Sequence, residues 1–266
     1  MTRHRAAPLV LAAAAAFGVA CTVSTEVGAV PFGFVALSAQ RSATGYTTSP
    51  IGTFISGSGL SVPSAIAPWD SCRTQSYSSV AGVPVGSVYP AISAGSSIAF
   101  KLPGRTDSLY PVQVGLETQY KLRSPVAVPY TPGDSVSVVI PGASNGFPAI
   151  SFKAKTAEAV TVTDFAVPAS GARLDLKWSA GQDLNSTMAF SFRYGALNAD
   201  TLNSQIYCQF LDDGTDSIPS RYISTWAAAK TRTWVATRVR TYVAPVARSG
   251  YFDFISAFDL PTPVSP

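Results

Sequence analysis

Leu174-Asp175-Leu176-Lys177-Trp178 alternates apolar and charged side chains without a break, which places Leu174, Leu176 and Trp178 on one side of an extended strand. The same period of two recurs in both directions along the chain. Downstream, Phe190, Phe192 and Tyr194 oppose Ser191 and Arg193, while Phe252, Phe254 and Phe258 oppose Tyr251 and Asp253. Upstream, Ile98, Phe100 and Leu102 share a face, as do Val112, Val114 and Leu116, with Gln113 and Glu117 opposite. Val136, Val138 and Ile140 oppose Ser135 and Ser137, and Ile150, Phe152 and Ala154 oppose Ser151, Lys153 and Lys155. Strands of this kind belong to antiparallel sheets with one wet face.

The turns between the runs agree with this. Thr131-Pro132-Gly133-Asp134 carries Pro and Gly where a type II turn wants them, and Asp212-Asp213-Gly214 and Ser144-Asn145-Gly146 suit hairpin connections. One helical stretch is expected at Tyr222–Ala229, after Pro219 and with Ser220 as its cap. Across all 266 residues there are three Glu and six Lys, so strong helix formers are scarce. The expected fold is all-β: two antiparallel β-sandwich domains, with a boundary near 155/156. The N-terminal one (21–155) is jelly-roll-like and the C-terminal one (156–266) immunoglobulin-like. A membrane barrel is disfavoured because the strand faces opposite the apolar residues carry Lys153, Lys155, Asp175, Lys177 and Arg193.

Residues 1–20 read as a secretory signal peptide: Arg3, His4 and Arg5, then an alanine-rich apolar stretch too short to span a bilayer. Gly18-Val19-Ala20-Cys21 suits signal peptidase and also resembles a lipobox, with Gly18 where Leu is usual. The expectation is lipidation at Cys21, an outer-membrane or cell-surface location, and membrane contact only through that lipid; secretion without lipid is the alternative.

Removing the leader takes Arg3, Arg5 and His4, the sole histidine, and leaves a net charge of +2. A near-neutral mature chain argues against nucleic acid as partner. Without imidazole, Ser–His–Asp and Cys–His catalysis and histidine-based zinc sites are excluded. The G-x-S-x-G match at Gly142–Gly146 lies between two strands and lacks its histidine. No cofactor is expected. Carboxylate-pair hydrolysis survives, although no motif selects a pair. Asp212, Asp213 and Asp216 could offer oxygens to calcium, but their spacing is not that of an EF-hand and Asp-Gly is an ordinary turn, so no metal is expected.

Cys72 and Cys208 remain as an even pair in an oxidising compartment, and a bridge is favoured over two buried free thiols. On the run Trp234–Val243, parity sets Trp234, Arg238, Arg240 and Tyr242 on one face, read as exposed, with Val235, Val239 and Val243 inward. Arginines between aromatics suit an anionic glycan or phosphate. The plainer alternative is a solvated face whose arginines pair with neighbouring carboxylates.

Cys21, Trp69-Asp70-Ser71-Cys72, Leu174–Trp178 and Ile206-Tyr207-Cys208-Gln209-Phe210-Leu211-Asp212-Asp213-Gly214, followed by Ile218-Pro219, together resemble uncharacterised β-rich surface lipoproteins of environmental bacteria. The resemblance is strongest over the last hundred residues. Pro31-Phe32-Gly33 resembles, more distantly, secreted pilin-like coat proteins. What these likenesses imply is architecture and location, with no activity. The expected role is non-catalytic: recognition or assembly at the envelope, with a glycan or envelope protein as partner or self-assembly through strand edges. The alternatives are a carbohydrate-binding module and a carboxylate-pair glycosidase.

Overall fold

The computed structural model describes residues 29–57, 70–77 and 89–260, apart from 103, 116, 125–126 and 184–185. Cys21 and the leader lie outside the described residues. The strands, in chain order, are β1 (Val30–Ser42), β2 (Gly45–Thr48), β3 (Ile51–Gly57), β4 (Ser71–Ser76), β5 (Ile98–Leu102), β6 (Arg105–Val114), β7 (Glu117–Leu122), β8 (Val128–Pro129) and β9 (Ser135–Ile140). There follow β10 (Ile150–Lys155), β11 (Val162–Phe165), β12 (Leu174–Trp178), β13 (Ser186–Tyr194), β14 (Ser204–Leu211) and β15 (Thr215–Ile218). The helix α1 (Ser220–Ala228) precedes β16 (Arg232–Val246) and β17 (Gly250–Leu260). The all-β expectation holds, with this single α-helix among the described residues.

A large sheet runs β10-β9-β5-β6-β7-β3-β1-β17-β16-β13-β14-β4, with β2 and β8 branching from β1. A small sheet, β11-β12-β15, is separate. The pairing β1–β17 is parallel, Val35 opposite Phe254, and brings strands from the two ends of the described chain side by side. The expected boundary at 155/156 is therefore no break in the hydrogen bonding: β1 and β3 continue directly into β17, β16 and β13. Alternation within each strand cannot reveal such a long-range pairing.

The inner face follows the periodicity. Val35, Leu37, Phe54, Ile98, Phe100, Val138, Phe190, Phe192, Phe252, Phe254 and Phe258 are all buried. Phe152 of β10 touches Tyr242, Phe252 and Phe254, so the far end of the large sheet curls over its own centre. Gly33 permits this close packing, because a Cβ there would stand 2.4 Å from the Phe54 ring. At the other end the small sheet lies over β13, β14 and β16, with Trp178 against Phe190 and Phe210 and with Phe165 stacked on Trp234 at 4.2 Å. Trp226 of α1 closes that layer against Phe192.

Two local expectations shift. Val112 and Val114 are each 42% exposed, because the β6–β7 hairpin projects beyond the core. Pro219 holds the cap position of α1 without a side-chain bond, and Ser220 is its first helical residue. The Thr131–Asp134 turn forms as expected, with Gly133 at φ 75° and the Asp134 N–H donating to Thr131 O at 3.4 Å.

Candidate functional site

The row Trp234, Arg238, Arg240 and Tyr242 keeps its shared parity but faces inward. Arg238 and Arg240 are only 1% and 3% exposed, and Trp234 lies under Phe165. Val235, Val239 and Val243, expected inside, occupy the outer face, so the expectation of an exposed arginine stripe is corrected. The physical reason lies in acids far away in sequence. Parity specifies which residues travel together; the carboxylates of Asp212 and Asp183 decide that this polar row can be buried.

Arg238 is held on several sides. Its Nε stands 2.7 Å from Asp212 Oδ2, and Nη2 donates to Asp212 Oδ1 at 3.0 Å. Nη1 donates to the Ala159 carbonyl at 2.7 Å, and Nη2 also meets the Ser179 carbonyl. Asp212 Oδ1 accepts from the indole Nε1 of Trp178 at 2.9 Å. Arg240 pairs with Asp183 and donates from Nη1 to Thr156 O at 3.2 Å. Alongside, the Tyr130 hydroxyl donates to Ala157 O at 3.0 Å and lies 2.9 Å from Ser256 Oγ, which accepts the Ala157 N–H. Burial pushes the Tyr130 phenol up to about 12. These groups pin the segments after β10 and β12 to β16 and β17, and their donors point at protein carbonyls. The interior polar row is therefore a structural seam.

The acids read as calcium candidates do not assemble. Asp212 is committed to Arg238 and Trp178, and no group of three His, Cys, Asp or Glu capable of holding a metal occurs among the described residues. Asp216 instead meets Asp70. Burial, reinforced by the Asp70 and Asp213 charges and opposed by the Ser217 N–H, raises its carboxyl to about 6. Beside it, the outer face of the small sheet forms an open groove of about 550 Å³ lined by Asp164, Arg173, Asp175, Lys177, Thr215, Asp216 and Ser217. Four of its charged groups pair with one another, Arg173 with Asp175 at 2.9 Å and Lys177 with Asp164 at 3.5 Å. Such exposed pairs read as a solvated face.

Asp253 also departs from expectation. It has the outward parity read from the sequence, yet is 6% exposed between Phe34 and Val243, and its Oδ1 has no hydrogen-bond partner among the described residues. Burial raises its carboxyl to about 6. The folded state thus holds the proton more tightly than the unfolded chain, so this residue costs nothing below about pH 4 and destabilises progressively as pH rises towards 6. The full penalty, about 2–3 kcal/mol, is present above that. Asp253→Asn is expected to remove this part of the pH dependence and to be more stable than the parent at pH 7. Urea unfolding of both proteins between pH 4 and 7 checks it; identical pH slopes would contradict the assignment.

Cys72 and Cys208 lie opposite each other on β4 and β14, with their sulfurs at disulfide distance. The Tyr77 N–H donates to Asn203 O at 2.9 Å, and the two-residue alternation of the ladder then makes Cys72–Cys208 a non-hydrogen-bonded pair, in which side chains approach most closely. Sequence reasoning missed Asp183, Tyr130, Thr156 and Ser256; none belongs to a motif, and each acts through a partner more than fifty residues away. Comparison of the chain with protein-family models, with curated proteins and with solved structures finds no match to any of the three.

Proposed function

We propose that this chain is an exported cell-envelope protein, anchored by lipid at Cys21, that works without catalysis by recognising a surface partner. The observation that carries the reading is the Cys72–Cys208 pairing, because such bridges persist where export delivers a chain to an oxidising compartment. The leader pattern of residues 1–20 points the same way. Within the β body, the C-terminal half has the ingredients of an immunoglobulin-like sandwich, two sheets stacked about the strand tryptophan Trp178. The N-terminal half supplies the antiparallel run of β5, β6, β7, β9 and β10 that a jelly-roll-like layer would use.

Recognition is favoured over assembly by the character of one sheet edge. The Thr156 N–H donates to Asp134 O at 2.8 Å, which by alternation turns the backbone groups of Ser151, Lys153 and Lys155 to the open side of β10. Exposed lysines at such an edge oppose strand addition.

Intact mass of the protein extracted from membranes, with and without reductant, tests the reading. The expected species begins at Cys21, carries lipid and gains two hydrogens on reduction. An unprocessed chain from the cytosol would overturn export, and an unlipidated chain in the medium would overturn the anchor.

A further inference from the structure

We propose that the outer face of β4, β14 and β13 binds acidic, carboxylate-bearing polysaccharide, with Arg73 and Arg193 as its anion contacts. The strand registers assemble this face. Arg73 lies opposite Tyr207 and Gln75 opposite Gln205; across the next pairing, Tyr207 lies opposite Ser191 and Gln205 opposite Arg193. All have the parity opposite to that of Cys208 and Phe190. Arg73 and Gln75 are exposed, Tyr77, Arg193, Gln205 and Tyr207 are half-buried, and Ser191 is buried.

Both guanidinium groups rest on tyrosine rings. Arg73 lies 5.1 Å from the Tyr207 centroid, and Arg193 lies 4.7 Å from that of Tyr77. Hydrogen bonds fix the planar groups between them: Gln75 Nε2 donates to Gln205 Oε1 at 3.0 Å, and Gln205 Nε2 donates to Ser191 Oγ at 2.6 Å. Arg193 Nε donates to the same hydroxyl at 3.2 Å. The result is an ordered lattice of rings, amides and guanidinium forks with little side-chain freedom left to lose on binding.

Charge selects the ligand. Arg105, Arg173, Arg238 and Arg240 each have a carboxylate within ion-pair distance, whereas Arg73 and Arg193 have none among the described residues. Two stacked, unneutralised guanidiniums offer planar donor edges that match carboxylates. Their Cα positions lie two strands and one two-residue step apart, roughly 12 Å from strand geometry, and one polymer lying across the face can meet both side chains. Tyrosine rings and glutamine amides suit the faces and hydroxyls of sugar rings.

This assignment rests on the recognition role proposed above and gives it a ligand class. Binding in solution needs no lipid, so it and the anchor can fail separately. Calorimetric titration of the full chain with polygalacturonate, with dextran as the neutral comparison, is the test. The parent protein is expected to bind polygalacturonate, more weakly as salt is raised, and to ignore dextran. Arg73→Ala and Arg193→Ala should each weaken binding at least tenfold, and the double variant should abolish it. Arg73→Lys with Arg193→Lys, which keeps charge and backbone but loses the stacked fork, should weaken it several-fold and replaces the alanine pair as the deciding variant if that pair fails to fold. Lys153→Ala with Lys155→Ala, on the β10 edge, should leave affinity within twofold. No binding by the parent, equal binding of dextran, undiminished binding by the arginine variants, or an equal loss in the β10 pair would each overturn the proposal.

Discussion

Replacing Arg238 with alanine is expected to lower the unfolding free energy by about 3–5 kcal/mol. The variant strands the Asp212 carboxylate in the core, with only the Trp178 indole among the described residues donating to it, and leaves the Ala159 and Ser179 carbonyls without their guanidinium donors. Removing one member of a buried pair costs far more than the intact pair contributes, because the survivor keeps its desolvation penalty. A double-mutant cycle makes the mechanism specific. Asp212→Ala and Arg238→Ala combined should cost less than the sum of the single changes, by about 0.5–3 kcal/mol as for residues in one network. Urea denaturation of the four proteins measures this. Strict additivity, or a single-variant cost below about 1 kcal/mol, would show that the guanidinium is not enclosed as described. Exchanging an exposed arginine such as Arg73 should cost little by comparison, since surface changes stay within about 0.5 kcal/mol.

Removing the Cys72–Cys208 bridge should have an effect of similar size. The cysteines are 136 residues apart in sequence, and a closed loop of that length restricts the unfolded chain by about 4–5 kcal/mol in the chain-entropy description. Cys72→Ala with Cys208→Ala is therefore expected to melt roughly 10–15 °C below the parent. The same bridge ties β4 laterally to β14, so β4 should be the first strand to lose its amide protection in the variant. A thermal melt reads the first consequence, and hydrogen exchange resolved by peptide reads the second. A melting point within about 2 °C of the parent would contradict the linkage.

Much of the fold was legible locally. Period-two alternation identified Leu174–Trp178, Phe190–Tyr194, Val136–Ile140 and Phe252–Phe258 as strands and named their buried sides correctly, because one apolar face is enough to fix strand register against water. Turn chemistry placed Gly133 where a positive φ is required. What alternation cannot supply is the identity of a strand's neighbours. The parallel meeting of β1 with β17 joins strands from opposite ends of the described chain, and no local signal encodes it.

The misassigned row on β16 shows the same boundary between local and distant information. Trp234, Arg238, Arg240 and Tyr242 alternate cleanly with Val235, Val239 and Val243, so both sides of the strand carry apolar or aromatic residues. Charge was the natural tie-breaker and pointed outward. The interior instead accepts both guanidiniums, because Asp212 in the turn after β14 and Asp183 ahead of β13 arrive with their carboxylates. Conversely, Arg193, read as opposing Phe190 and Phe192, does lie on the other side of β13 from them, and Gln205 and Tyr207 of β14 join it there. Their assembly into one surface depends on β4 joining that edge, which the Cys72–Cys208 pair signals only once the bridge is known.

The division of the arginines between core and surface can be measured directly by reacting the native protein with an arginine-selective dicarbonyl and following each site by peptide mass spectrometry. Arg73 is predicted to react readily, whereas Arg238 and Arg240 should stay unmodified until the chain is unfolded. Modification of Arg238 in the native protein as fast as that of Arg73 would place the β16 row on the outside and contradict the account.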